Sequence, residues 1–122
     1  MDLNAFSGYK HVKKMWGTEI WLTNSPLYCA KLLVVEPGFA CSLHRHAIKT
    51  ETFFVLQGLL AVEVGTGGAF EVKGVGDSVH LPPGTFHRFW SVSLLSETIF
   101  LEVSTTHSDD DVERREESGP IG

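Results

Sequence analysis

The sequence predicts an all-β fold, a small barrel or sandwich, and three observations carry that expectation. Between residues 28 and 104 the chain breaks into short apolar, β-branched or aromatic runs. Glycine and proline separate those runs, and no helix of useful length interrupts them. The chain has 122 residues, 43% of them hydrophobic, which suits one compact domain and leaves little for a second. The expected unit is a single domain over residues 1–122, with an N-terminal arm over 1–25 and an acidic tail over 107–122.

Each element has a local reason. The arm mixes Lys10, Lys13 and Lys14 with Trp16 and Trp21, and reads as extended chain with one or two strands. Its tryptophans suit packing across a homodimer interface and equally suit covering an open barrel end. Apolar runs follow at 29–35, 52–57, 59–64, 70–73, 78–81, 86–92 and 97–104, so seven short strands fit one barrel. Pro37-Gly38, the three glycines within 65–68 and Pro83-Gly84 mark reversals of the chain. Gly58 lies between two apolar runs and reads as a turn or bulge, which makes 52–64 a hairpin. The tail, ending Ser118-Gly119-Pro120-Ile121-Gly122, is expected to fray unless Arg114 or Arg115 finds a partner.

Charge and composition exclude several function classes. Ten Lys and Arg against fifteen Asp and Glu give a net charge of −5, and no basic patch offsets it, so nucleic acid is not an expected partner. Residues 109–117 alone hold six acids and two arginines, which leaves the preceding chain close to neutral. Apolar stretches are a handful of residues long, far below the roughly 20 that cross a bilayer. The start lacks the pattern of a secretory signal, so no membrane association and a cytoplasmic location are expected. Cys29 and Cys41 have no metal-ligand spacing and read as buried thiols.

Three histidines and one glutamate stand out as a metal-ligand set. In Leu43-His44-Arg45-His46 the two imidazoles project from one face of an extended strand, about 7 Å apart along the chain. Glu51 opens the next run after a turn, and His87 starts a later strand just past Pro82-Pro83-Gly84. Three imidazoles with one carboxylate suit a single divalent transition metal ion such as Mn, Fe, Co, Ni or Zn.

The spacing of these residues resembles the cupin superfamily. Gly38, His44, His46, Glu51 and Gly58 follow its first motif, and Gly76, Pro82, Gly84 and His87 its second, with Ser91 where that motif ends in asparagine. The resemblance implies a jelly-roll barrel, or double-stranded β-helix, with His44, His46, Glu51 and His87 holding the metal. Four protein ligands leave two places of an octahedral ion for water or a bidentate oxygen substrate.

A narrower likeness joins Trp16-Gly17-Thr18-Glu19-Ile20-Trp21, Tyr28-Cys29-Ala30-Lys31, Lys49-Thr50-Glu51-Thr52-Phe53, 82–89 and Glu102-Val103-Ser104-Thr105. These segments resemble the cupin sugar isomerases, a group that includes lyxose isomerase-like proteins and type II mannose-6-phosphate isomerases. Asp109-Asp110-Asp111-Val112-Glu113-Arg114 is similar to their acidic segment leading to an arginine. The implied activity is aldose–ketose isomerisation of a sugar or sugar phosphate by metal-stabilised enediol proton transfer.

That chemistry needs a base that is not itself a ligand. Glu102 is the first candidate, because a carboxylate flanked by Leu101 and Val103 is costly unless it meets a polar cavity. Strand alternation alone permits either face. Lys49, two residues before Glu51, is placed at the barrel mouth to hold a hydroxyl or polarise a carbonyl, with a solvated turn lysine as the alternative. Lys31 and His80 are further candidates for substrate contact, and Arg114 for gripping a phosphate. Arg45 and Arg88 face away from the neighbouring ligands, so their expected role is to support the fold or bind the tail. His107 is expected to be exposed. Two rival functions share the ligand set: an Fe(II) dioxygenase, and a non-catalytic sugar-binding module.

Overall fold

A computed structural model describes residues 1–121. The chain opens with a short 3-10 turn, Leu3–Phe6, whose first free amide donates to the Asp2 side chain. The strands follow as β1 (Lys10–Lys14), β2 (Gly17–Asn24), β3 (Cys29–Val35), β4 (Phe39–Ala40), β5 (Leu43–Arg45), β6 (Glu51–Gln57) and β7 (Leu60–Val64). Then come β8 (Phe70–Lys73), β9 (Ser78–Leu81), β10 (His87–Ser91), β11 (Thr98–Ser104), β12 (Glu113–Glu116) and β13 (Gly119–Pro120). No α-helix occurs among the described residues, so none is long and apolar enough to cross a membrane.

Two antiparallel sheets share these strands. One has the order β1-β2-β3-β11-β6-β9; the other runs β12-β5-β10-β4-β13, with β7 joining β10 to β8. Alternation along each strand sends one set of side chains between the sheets. In β11, Phe100, Glu102 and Ser104 are buried while Val103 between them is exposed. The interior is an aromatic and aliphatic cluster around Phe53, Phe89 and Phe100, with ring centroids 4.6 to 5.9 Å apart. Trp16 stands edge-on to Phe89 at 5.0 Å and is only 4% exposed. It is therefore a core residue, with no free face for a second subunit. The outer surface of β2, β3 and β11 carries a smaller apolar cluster, Ile20, Leu32, Val34 and Ile99, against which Leu3 and Phe6 pack. Cys29 and Cys41 are buried and unpaired, and burial pushes the Cys41 thiol up to about 12.

Three features differ from the sequence reading. First, 52–64 is no hairpin: β6 pairs with β11 and β9 in one sheet, whereas β7 pairs with β10 and β8 in the other. The chain crosses between sheets at Gly58, and an apolar pattern says which face a strand buries without saying which sheet it joins. Second, the two strands that the first 25 residues were expected to allow are present as β1 and β2, but β2 pairs with β3, so this segment belongs to the sheet and is not a separate arm. Third, the tail is ordered: β12 pairs with β5, and β13 with β4. Its acids find cations, because Arg45 holds Glu113 at 2.7 Å and Arg88 holds Glu116 at 3.0 Å. Arg88 also donates from Nε to the Cys41 carbonyl.

Gly58 adopts φ +83°, and a Cβ there would lie 2.5 Å from Thr98 Oγ1 and 3.1 Å from Thr98 Cα. Thr98 cannot easily yield, being fully buried and hydrogen-bonded to Ser91 Oγ at 2.8 Å and to the Leu59 carbonyl. Gly58→Ala therefore combines a left-handed backbone with overpacking, and chemical denaturation should show a loss of about 2–4 kcal/mol. A stability within ~0.5 kcal/mol of the parent would contradict this account of the crossing.

Candidate metal centre

Register places the ligands. In the pairing of β5 with β10, His44 stands directly opposite His87, and their ring centroids are 4.5 Å apart. His46 follows two residues on, its ring 5.1 Å from that of His44. His44 and His87 stand on neighbouring inner strands of one sheet, and His46 lies just past the end of β5. The facing sheet supplies the carboxylate: Glu51 at the start of β6 pairs with Ser104 of β11 and aims its Oε2 at the histidines, 3.2 Å from His87 Nε2 and 3.8 Å from His46 Nε2.

The protonation pattern is fixed by backbone carbonyls. His44 Nδ1 lies 2.7 Å from the Ser42 carbonyl, His87 Nδ1 3.0 Å from that of Thr85, and His46 Nδ1 bonds that of Asp111. A carbonyl only accepts, so each Nδ1 carries the proton and each Nε2 keeps a bare lone pair. Burial, then the nearby His87 ring, hold His44 down at about 3, so it is neutral at pH 7. Burial likewise lowers His46.

One ring nitrogen from each histidine lies within 4.8 Å of the other two. His87 Nε2 is buried without a hydrogen-bond partner, and it faces the Glu51 carboxylate with a lone pair of its own. Acceptors facing acceptors in a buried site are unfavourable unless a cation sits among them. The donor set therefore fits a divalent transition metal, with imidazole nitrogens and one carboxylate as ligands.

Beyond these four residues the inner wall is charged. Lys49, 3% exposed, lies 2.8 Å from Glu102 and 3.2 Å from Glu51. Burial alone would lower the Lys49 ammonium, but the charges of Glu102 and Glu51 outweigh it and raise the group above its ordinary value. Burial pushes Glu51 up, but the Lys49 ammonium 3.2 Å away opposes this, and the carboxyl is held well below the usual carboxylate range. Glu102 also accepts a bond from Ser104 Oγ at 3.3 Å. Lys31, 1% exposed, sits 3.6 Å from Glu19 and 4.2 Å from the centre of the Trp21 ring. The trio Glu51, Glu102 and Lys49 carries one net negative charge, a further attraction for a cation.

All but one of the residues expected at the site line a single cavity of about 400 Å³: Lys31, His44, His46, Lys49, Glu51, His87, Glu102 and Arg114. Arg114 is exposed and stands on β12 opposite His44, at the rim. The exception is His80. It is exposed on the outer face of β9, 3.3 Å from Thr52 Oγ1, and lines a different groove beside Val79 and Phe70. Its neighbours Val79 and Leu81 take the inward positions of that strand, and alternation turns His80 away.

Several wall residues were not singled out from the sequence. His107, expected to be exposed, is half-buried in the cavity: its Nδ1 lies 3.3 Å from Lys49 Nζ and its Nε2 2.8 Å from Asp109. Burial lowers it. Glu19 takes a bond from the Trp21 indole at 2.9 Å and meets Lys31. Asp111, which does not line the cavity, gathers the turn between His46 and Glu51 from behind. The available signal for Glu19 was its alternation with Gly17 and Trp21 on β2; for the two tail residues, charge concealed it.

Solved structures share this architecture at low identity. KdgF from Halomonas sp. superposes with a TM-score of 0.73 at 17% identity, covering 84% of this chain and 91% of that one. Oxalate decarboxylase from Bacillus subtilis gives 0.77 at 18%, covering 90% of this chain and 31% of that one. The capsular polysaccharide assembling protein CapF from Staphylococcus aureus gives 0.75 at 16%, covering 88% and 32%. The chain thus spans about a third of the latter two proteins. No curated protein sequence matches it. The sequence model of the cupin domain, however, matches residues 31–103, the stretch that carries both sheets' central strands and every proposed metal ligand. The chain belongs to the cupin family.

Proposed function

We propose that the chain is a metal-dependent aldose–ketose isomerase acting on a sugar or sugar phosphate. The observation that carries this reading is the Lys49–Glu102 pair, two oppositely charged side chains buried in the cavity wall beside the ligand Glu51. An ionised pair this buried is costly as a purely structural device, and its place at the edge of a polar cavity suits proton transfer. A divalent ion held by His44, His46, Glu51 and His87 would stabilise negative charge on adjacent substrate oxygens.

Glu102 is the base in this reading. Its carboxylate takes the proton from C2 of the aldose and returns it to C1, while the hydroxyl proton passes between O2 and O1. Lys49, 2.8 Å from Glu102, 3.2 Å from Glu51 and 3.3 Å from His107 Nδ1, holds the Glu102 carboxylate in place at the cavity wall. Lys31 and Arg114 line the same cavity and are placed to hold hydroxyl or phosphate oxygens further from the reacting carbons. The aromatic cluster beneath His87, with Phe53 at 6.0 Å, closes the floor against water.

Metal analysis of protein purified without added metal, then a pentose, hexose and sugar-phosphate panel in deuterated water, tests the proposal. Deuterium should appear at C1 of the ketose product or C2 of the aldose. Glu102→Gln should retain its metal and lose turnover by about 10²–10⁴-fold, the range for a removed general base. His46→Ala should lose metal and turnover together. A Glu102→Gln variant at full rate, or oxygen uptake in place of label incorporation, would overturn the isomerase reading.

Metal removal has a second readout. An ion bound at 100 times its dissociation constant stabilises the folded state by about 2.7 kcal/mol. Thermal unfolding with and without a chelator should therefore show a lower melting temperature for the stripped protein, and no such difference for His87→Ala.

A further inference from the structure

The segment that follows the last long strand returns to the metal-ligand loop through one residue. Asp111 Oδ1 accepts the backbone N–H of Ala47 at 2.8 Å and of Ile48 at 3.1 Å, and Oδ2 accepts that of Lys49 at 2.9 Å. The carbonyl of the same residue accepts from His46 Nδ1. One aspartate thus holds four consecutive positions, a ligand and the three residues after it, from more than sixty residues away in the chain.

These bonds bear on the site in two ways. The carbonyl fixes the tautomer and the plane of the His46 ring, so that Nε2 meets the cluster. The carboxylate ties down the turn between His46 and Glu51, and that turn carries Lys49, whose ammonium reaches both Glu51 and Glu102. The Asp111 side chain is only half-buried, so its burial contributes little by itself. Ala47 and Ile48 are exposed, and without an acceptor their amides would turn to water and leave the turn free to move.

We propose that Asp111 is a positioning residue of the metal centre, whose carboxylate sets metal affinity by holding the turn between His46 and Glu51. This rests on the metal reading above and needs nothing from the isomerase reading. The tail is fastened separately by Arg45–Glu113 and Arg88–Glu116, so β12 stays docked when the Asp111 carboxylate is removed.

Co(II) is a suitable probe, because its visible absorption reports ligand geometry as well as occupancy. The metal-free full chain, Asp111→Ala, Asp111→Asn and Glu113→Ala are titrated with Co(II) at a temperature where circular dichroism shows each one folded. Asp111→Ala should bind about 10–100-fold more weakly, as removal of groups that orient ligands does, and its Co(II) spectrum should change. Asp111→Asn should recover part of the affinity, since its carbonyl oxygen still accepts from Ala47 and Ile48 while its NH₂ faces the Lys49 N–H. Glu113→Ala, which loosens only an exposed ion pair, should stay within about threefold of the parent.

Two results overturn the positioning role alone: an Asp111→Ala variant with parental affinity and spectrum but a lower melting temperature, or a Glu113→Ala variant as weak as Asp111→Ala. A parent protein that takes up no Co(II) overturns this proposal and the metal reading together.

Discussion

The mutual repulsion of lone pairs governs this fold. Three imidazole Nε2 atoms and a carboxylate oxygen are brought within a few ångströms of one another from two facing sheets, each imidazole oriented by a bond from Nδ1 to a main-chain carbonyl. Among the described residues nothing donates a hydrogen bond to His87 Nε2. The arrangement is unfavourable without a cation and favourable with one, so the interior around it must be rigid enough to hold the groups together. That rigidity comes from the register of β5 against β10 on one side and from the Phe53, Phe89 and Phe100 cluster packed directly behind His87 on the other.

The two sheets divide the chemistry. The one containing β5 and β10 supplies neutral nitrogen donors, and the one containing β2, β3, β6 and β11 supplies charge: Glu19, Lys31, Glu51 and Glu102. Lys49, on the turn between β5 and β6, bridges the halves by contacting both Glu51 and Glu102. A cavity built this way has imidazole nitrogens on one side and titratable oxygens and an ammonium on the other.

Much of this could be read from residues alone, and the reasons are physical. The strand runs were visible because inward and outward positions alternate and because glycines with positive φ, such as Gly38, Gly65 and Gly84, sit where the chain reverses. β3, β8 and β9 have the bounds that pattern predicts. His44, His46, Glu51 and His87 were legible through spacing, since two strands crossing in register bring fixed intervals together. Pairing was not legible: Gly58 was read as the tip of a hairpin, although the strands on either side of it join different sheets. His80 was misplaced against the local alternation, since Val79 and Leu81 on either side of it take the core-facing positions. Lys49 and Glu102 were both singled out from the sequence, but their pairing needed three dimensions, because nothing in their spacing joins them.

The tail was the hardest part to read, because its charge resembles that of a disordered segment and its order depends on distant partners. Arg45 and Arg88, each next to a histidine of the cluster and facing the other way, clasp Glu113 and Glu116, so one pair of strand positions serves the cavity and its neighbour serves the fastening. Among the described residues, the amides of Ala47, Ile48 and Lys49 find their acceptor in Asp111. During synthesis the strands emerge first and that acceptor later. On the ribosome, the turn beside His46 stays unbraced until residues past β11 have left the exit tunnel, so this side of the cavity takes shape only after the long strands are out.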